Sequence, residues 1–148
     1  MMILDVVTIL CIGLLVGTEF AVSAFINPIL AKLEEGAQAQ AIGMFARRLG
    51  FVMPFWYAGS LLLLIAGAAI RWRATGDSLL IAACAIWVVV IVATLLLLVP
   101  INNRMMQLDT KAFPAAAQRE HRKWERLHRV RVAALAAAAV CFLVAVGV

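Results

Sequence analysis

Four apolar runs punctuate this chain, at roughly 3–26, 51–70, 79–101 and 130–148, with polar or proline-containing segments between them. Each has about 19–24 residues, and a helix needs about 20 to cross the hydrocarbon core of a bilayer. The pattern predicts an all-α, integral-membrane four-helix bundle, with residues 1–148 forming a single domain. The first run has no basic leader and carries Asp5 near its start. Its apolar stretch is also too long for a cleaved signal, so it is expected to remain as a helix.

The segments between the runs refine this picture. Asn27-Pro28 is expected to end the first span, because the residue before a proline is pushed out of the helical region. Residues 38–50 read as a short interfacial helix with Ile42, Phe45 and Leu49 on one side. Pro54 suits a first turn, and Trp56 and Tyr57 suit the water–lipid boundary. Asp77-Ser78 is expected to cap the third span. After Phe113-Pro114 nothing breaks a helix before Gly147. The fourth helix therefore begins well ahead of its span, and the amphipathic segment 114–129 projects beyond the membrane. No internal repeat is evident.

Composition agrees with the pattern. The 148 residues are 66% hydrophobic and 14% charged, against about 45–50% and about 25% in soluble domains. A soluble fold of this length cannot hide so much apolar surface, which excludes a large soluble catalytic domain. The net charge of +5 is explained by topology. Lys32, Arg47 and Arg48 follow the first span; Arg104, Lys111, Arg119, Arg122, Lys123, Arg126 and Arg129 follow the third; the second loop holds only Arg71 and Arg73. Basic residues collect on the cytoplasmic side. The larger basic loops are thus expected in the cytoplasm and both termini outside a cell (inner) membrane. Anionic membrane lipid is the expected partner of those loops, and no nucleic acid is implied. Cys11, Cys84 and Cys141 lie inside spans at no metal or disulfide spacing and read as small buried apolar groups.

The polar positions inside the first span are informative. At 100° per residue, Asp5, Thr8, Glu19 and Ser23 share a narrow sector, with Asn27 at its edge. Gly13, Gly17, Ala21 and Ala24 lie nearly opposite at small-xxx-small spacing, which lets another helix approach closely. That helix can belong to this chain or to a second copy.

The polar residues of all four spans converge on one end. Asn27, Tyr57, Asn102, Asn103 and the segment from Trp124 to Arg131 are expected at the cytoplasmic face, with Glu19 about 12 Å deeper. This geometry predicts a polar pocket open to the cytoplasmic leaflet with Glu19 at its floor. A carboxylate at membrane depth costs about 2.5–3.5 kcal/mol, so it has a partner or a function. Glu19 is therefore either a proton acceptor or half of a structural pair with Arg131 or His128. Trp124, His128 and Arg131 share a helix face. His128 suits a general base or an orienting group, while indole and guanidinium suit an aromatic or anionic ligand. Interface anchoring with snorkelling arginines explains the same residues without a ligand. Glu125-x-x-His128 matches a di-iron helix motif, but such sites need two copies and further carboxylates, so no metal site is expected. Asp5 suits helix capping or headgroup contact. No Ser-His-Asp order, Gly-rich phosphate loop or CxxC occurs.

Four segments taken together resemble the anthrone-oxygenase-like family of small four-span membrane proteins. They are Gly17-Thr-Glu-Phe-Ala-Val-Ser-Ala-Phe-Ile-Asn-Pro28, Met53-Pro-Phe-Trp-Tyr57, Val99-Pro-Ile-Asn-Asn-Arg104 and Trp124-x-x-x-His128-x-x-Arg131. Some fungal members oxidise anthrones to anthraquinones with molecular oxygen. The resemblance implies a base that removes the acidic anthrone proton, and the residues of this chain offer Glu19 or His128 for it. It also implies donors (Asn102, Asn103, Arg131) for the phenolate oxygen, and Trp124 and Tyr57 stacked on the rings, with Asn27 also at the substrate. Such chemistry needs molecular oxygen as co-substrate and no redox cofactor. The competing reading is a non-enzymatic protein that binds a lipophilic small molecule such as a lipid or quinone, or a small subunit of a membrane complex. A transporter fits less well, since alternating access usually relies on repeated halves.

Overall fold

The computed structural model describes residues 1–71, 77–108 and 113–147. The side chain of Asp77, and with it the expected cap, lies outside the described residues, as do Arg73 and Lys111. Four helices are long and apolar enough to cross a membrane: α1 (Met2–Leu30), α2 (Glu35–Ile70), α3 (Ser78–Met105) and α4 (Ala115–Val146). Among the described residues there is no strand. Each helix packs on its neighbour in sequence and α4 closes on α1, with the most extensive contact between α3 and α4. The chain is an all-α membrane four-helix bundle.

α1 does not stop at Asn27-Pro28. It widens into a π turn over Val22–Ile26 and continues as α-helix through Asn27–Leu30. A proline supplies no N–H and its ring collides with the carbonyl four residues back. In the wider turn the Asn27 N–H bonds to the Val22 carbonyl instead, and the carbonyls ahead of the ring move out of its way. The same device recurs in α3, where a π turn over Thr94–Leu98 precedes Val99-Pro100. A recurring element is thus present that the sequence pattern does not reveal.

Residues 38–50 are helical but not a separate interfacial helix; they are the opening turns of α2, which passes through Pro54 without a break. The proline lacks the N–H that would bond to the Gly50 carbonyl, so the helix continues with that one bond missing. Nor do Trp56 and Tyr57 sit at the lipid boundary. Trp56 Nε1 donates to the Cys11 carbonyl at 3.1 Å, and Tyr57 is buried. Each finds inside the bundle the acceptor that water would otherwise supply. α4 begins behind Pro114 and ends at Gly147, whose φ of 81° closes the helix in the left-handed region. A methyl group at Gly13 or Gly17 would meet no atom within 4 Å, so that small-residue face is not packed within the chain.

Two apolar clusters hold the bundle. One joins Leu15, Leu64, Trp87, Leu135 and Phe142 near the end where the chain starts. The other joins Leu30, Ile42, Ile101, Met105 and Ala117 near the opposite, basic end. Asp5 serves neither as a bare cap nor as a headgroup contact: both its oxygens lie 2.7 Å from Arg71 Nη2, tying α1 to the end of α2. The pair is largely buried, with side-chain exposures of 18% and 10%. Asp5→Ala is therefore expected to cost about 1.5–3 kcal/mol, the usual range for a hydrogen bond to a charged group. Thermal unfolding in detergent would read this as a lower Tm.

Candidate functional site

Between the two apolar clusters lies a polar layer to which each helix contributes one residue: Glu19, Tyr57, Thr94 and Arg131. On α1, Glu19 falls between Leu15 of one cluster and Leu30 of the other; on α4, Arg131 falls between Ala117 and Leu135. Burial of the apolar flanks on both sides therefore fixes the depth of the layer.

Glu19 is its centre, with a side chain only 3% exposed. Tyr57 donates its hydroxyl to Glu19 Oε1 at 2.9 Å. Arg131 Nη2 donates to Glu19 Oε2 at 2.7 Å. Arg131 also reaches Thr94 Oγ1 through Nη1 at 3.5 Å, and its guanidinium carbon lies 5.8 Å from the Tyr57 ring centroid. The Tyr57 carbonyl accepts from Trp87 Nε1 at 3.1 Å, which joins α2 to α3 just below the layer.

His128 is committed on both ring nitrogens. Its Nε2 lies 3.1 Å from the Glu19 backbone carbonyl, which can only accept, so the network assigns the hydrogen to Nε2. Its Nδ1 then accepts from Arg131 Nη2 at 2.8 Å. The 3.2 Å approach of Nδ1 to Glu19 Oε2 is thus between two acceptors sharing one guanidinium donor, not a second ion pair. The π turn of α1 begins three residues after Glu19, so His128 grips α1 where that helix starts to widen.

Above His128 the rings of α4 form a ladder. His128 and Trp124 are stacked at 4.7 Å and 10°, Trp124 and His121 at 5.8 Å and 8°. The three side chains follow one another up the helix at four- and three-residue steps, with His128 the nearer of the two imidazoles to the indole. Glu125 lies 3.6 Å from His121 and turns away from the cluster that holds His128. Among the described residues no group of three metal-binding side chains occurs.

The layer forms the floor of a cavity of about 340 Å³, within the ~300–1,000 Å³ typical of small-molecule sites. Both π turns line it, through Val22 and Ile26 on one side and Thr94 and Leu95 on the other. Its apolar wall includes Ile42, Leu49, Met53 and Ile91. Phe45, Pro54, Ala58 and Leu95 belong to the lining and are also exposed on the outside of the bundle, so the chamber reaches the surface that lipid covers.

Of the residues expected at the site, Glu19, Asn27, Tyr57, Asn102, Trp124 and Arg131 line this cavity. His128 does not; it is buried behind Trp124 and Arg131. Asn103 is exposed and outside the lining, because consecutive residues of a helix point about 100° apart. Sequence reading missed Thr94, although it is the one hydroxyl deep in the third apolar run. It also left His121, another lining residue, without a role.

Fold and cavity together define a small integral-membrane bundle with an internal chamber built around a buried carboxylate. The family model described as "Anthrone oxygenase" matches residues 41–141, and the chain belongs to that family. The match takes in Tyr57, Asn102, Trp124, His128 and Arg131; Glu19 and Asn27 lie ahead of it. No curated protein and no solved structure matches the chain.

Proposed function

We propose that this protein is a membrane-embedded oxygenase that converts a lipophilic, anthrone-like aromatic ketone to the corresponding quinone in the cavity above Glu19. The observation that carries the proposal is the position of that carboxylate. It lines the chamber, and it is held by Tyr57 and Arg131 in one orientation. A carboxylate offers about four acceptor sites, so two strong donors leave it able to take a proton. His128 has no ring nitrogen free, which favours Glu19 as the base.

In this reading Glu19 takes a proton from the ring methylene opposite the ketone. The charge spreads onto the ketone oxygen, where donors at the cavity wall stabilise it as it develops. The carbanion passes electrons to molecular oxygen and the new C–O bond forms, giving a hydroperoxide once a proton returns. Loss of the second methylene proton with cleavage of the O–O bond releases water and leaves the new carbonyl. The methylene supplies four electrons; one oxygen atom ends in the product and the other in water. The arginines and lysines gathered at the end where the chamber lies support a cytoplasmic position for that end, with both termini on the other side.

The test is oxygen-dependent quinone formation from an anthrone in isolated membranes, with empty membranes correcting for autoxidation. Wild-type rates well above empty membranes support the reading. Rates equal to background, or full turnover in both Glu19→Gln and His128→Ala, sink it.

A further inference from the structure

Glu19 is not the only polar side chain turned to the chamber. Asn27, Asn102 and His121 also line it, and Asn27 and His121 are only 7% and 8% exposed. None of the three side chains has a hydrogen-bond partner among the described residues, yet their polar atoms are not sealed off. The unpartnered polar atoms without surface are Arg71 Nη1, Trp124 Nε1 and Arg131 Nε, which no ligand reaches. Glu125 lies 3.6 Å from His121 Nε2, beyond hydrogen-bond length. Buried amides and imidazoles are normally bonded, so three that keep open surface in one cavity point to what fills it.

Their placement is regular. Asn27 lies eight residues beyond Glu19 on α1, and Asn102 eight beyond Thr94 on α3. The two amides thus stand at one level, about 12 Å from the polar layer along the bundle. His121 precedes Arg131 by ten residues on the antiparallel α4, which places it on the same side of the layer. Each of the three can donate an N–H.

We propose that Asn27, Asn102 and His121 form a ketone-binding subsite at the end of the chamber opposite Glu19. It holds the aryl ketone oxygen while the methylene across the middle ring rests on the carboxylate. This deepens the oxygenase reading and rests on it, naming the wall donors on which that reaction relies. A contact of about 3–3.5 Å at the base, one ring, and a hydrogen bond of about 2.9 Å at the oxygen fill a gap of that order. The donors stand where negative charge gathers once the methylene proton has left, so their bonds strengthen as the reaction proceeds.

The experiment compares anthrone with 9,10-dihydroanthracene, which keeps a methylene for Glu19 and lacks the ketone oxygen. Affinities for the protein in lipid nanodiscs are measured without oxygen, against partition into empty nanodiscs. Wild type is expected to prefer anthrone by about tenfold, as one or two hydrogen bonds imply. The double variant Asn27→Leu with Asn102→Leu keeps the volume and removes both amides. It should cut the preference to about twofold while dihydroanthracene binds no worse. Its Tm should hold or rise, because amides bonded to nothing in the chain are lost. A wild type without preference, a double variant with the preference intact, or a marked fall in Tm overturns the subsite. The ketone stretching band of anthrone bound to the unaltered protein gives a reading that needs no variant. It should fall in frequency relative to anthrone in empty nanodiscs; an unmoved band overturns the proposal. Preference and band shift without anthrone turnover would leave the subsite standing and remove the oxygenase reading. Turnover without preference would do the reverse.

Discussion

Glu19→Gln should lower anthrone oxidation by about 10²–10⁴-fold, the span over which a positioned general base contributes to a rate, in protein that still inserts and folds. The amide has the shape of the carboxylate, and its oxygen can still accept from Tyr57 or Arg131. What it cannot do is take a proton. His128→Ala acts differently, because neither of its nitrogens faces the chamber: it frees Arg131 Nη2 and releases the grip on the Glu19 carbonyl. That variant should lose activity through disorder of Arg131, and a wider spread of ligand poses should raise KM along with lowering kcat. Parallel rate measurements at saturating and limiting anthrone would separate the two. Glu19→Gln retaining most of the wild-type kcat would remove Glu19 as the base.

Arg131→Met should be the most destabilising substitution in the polar layer, by about 3–5 kcal/mol, the usual cost of breaking a buried ion pair from one side. Methionine fills much of the same volume, so the loss is electrostatic in origin: a carboxylate 3% exposed is left with Tyr57 as its remaining strong donor. His128 loses its acceptor role at the same time. Replacing both charges, Glu19→Gln with Arg131→Met, should recover much of the stability, because the amide no longer needs a cation and Tyr57 can still donate to it. Thermal unfolding of the two single variants and the double variant in one detergent measures this. Additive losses in the double variant would show that the pair is not coupled.

The site was partly legible before any coordinates. Glu19 stood out because charge is scarce within apolar runs, and Arg131 and Tyr57 were named as neighbours at the same end of the bundle. Their roles were less legible. Trp124 read as a stacking platform for a ligand, and within the chain it already stacks with His128 four residues after it and lies parallel to His121 three residues before it. His128 read as a general base, an orienting group or a partner of Glu19, and its two nitrogens face Arg131 and the backbone of α1. Both depend on which rotamers the packed helices permit, and helical spacing by itself leaves that choice open. Thr94 was passed over because a lone threonine in an apolar helix has its own backbone carbonyls as acceptors, and only the approach of α4 turns it toward Arg131.

The course of the backbone shows the same division. Proline after asparagine read as a stop, since a local rule counts only the lost donor and the ring clash. In the bundle, apolar residues beyond the proline, Leu30 among them, still have a cluster to join. Their burial outweighs the local conflict, and the helix meets it with a π turn instead of ending. By itself, then, the order of amino acids determined the number of spans, the all-helical class, the family and the end of the bundle where polar groups gather. All of these follow from hydrophobic run length, backbone satisfaction in lipid and residue identity. The tertiary structure alone decided that one polar residue from each helix meets in a single layer, and that two widened turns line a chamber above it. Those features arise from contacts between helices far apart in sequence, whose rotation and depth are set only when all four faces are buried together.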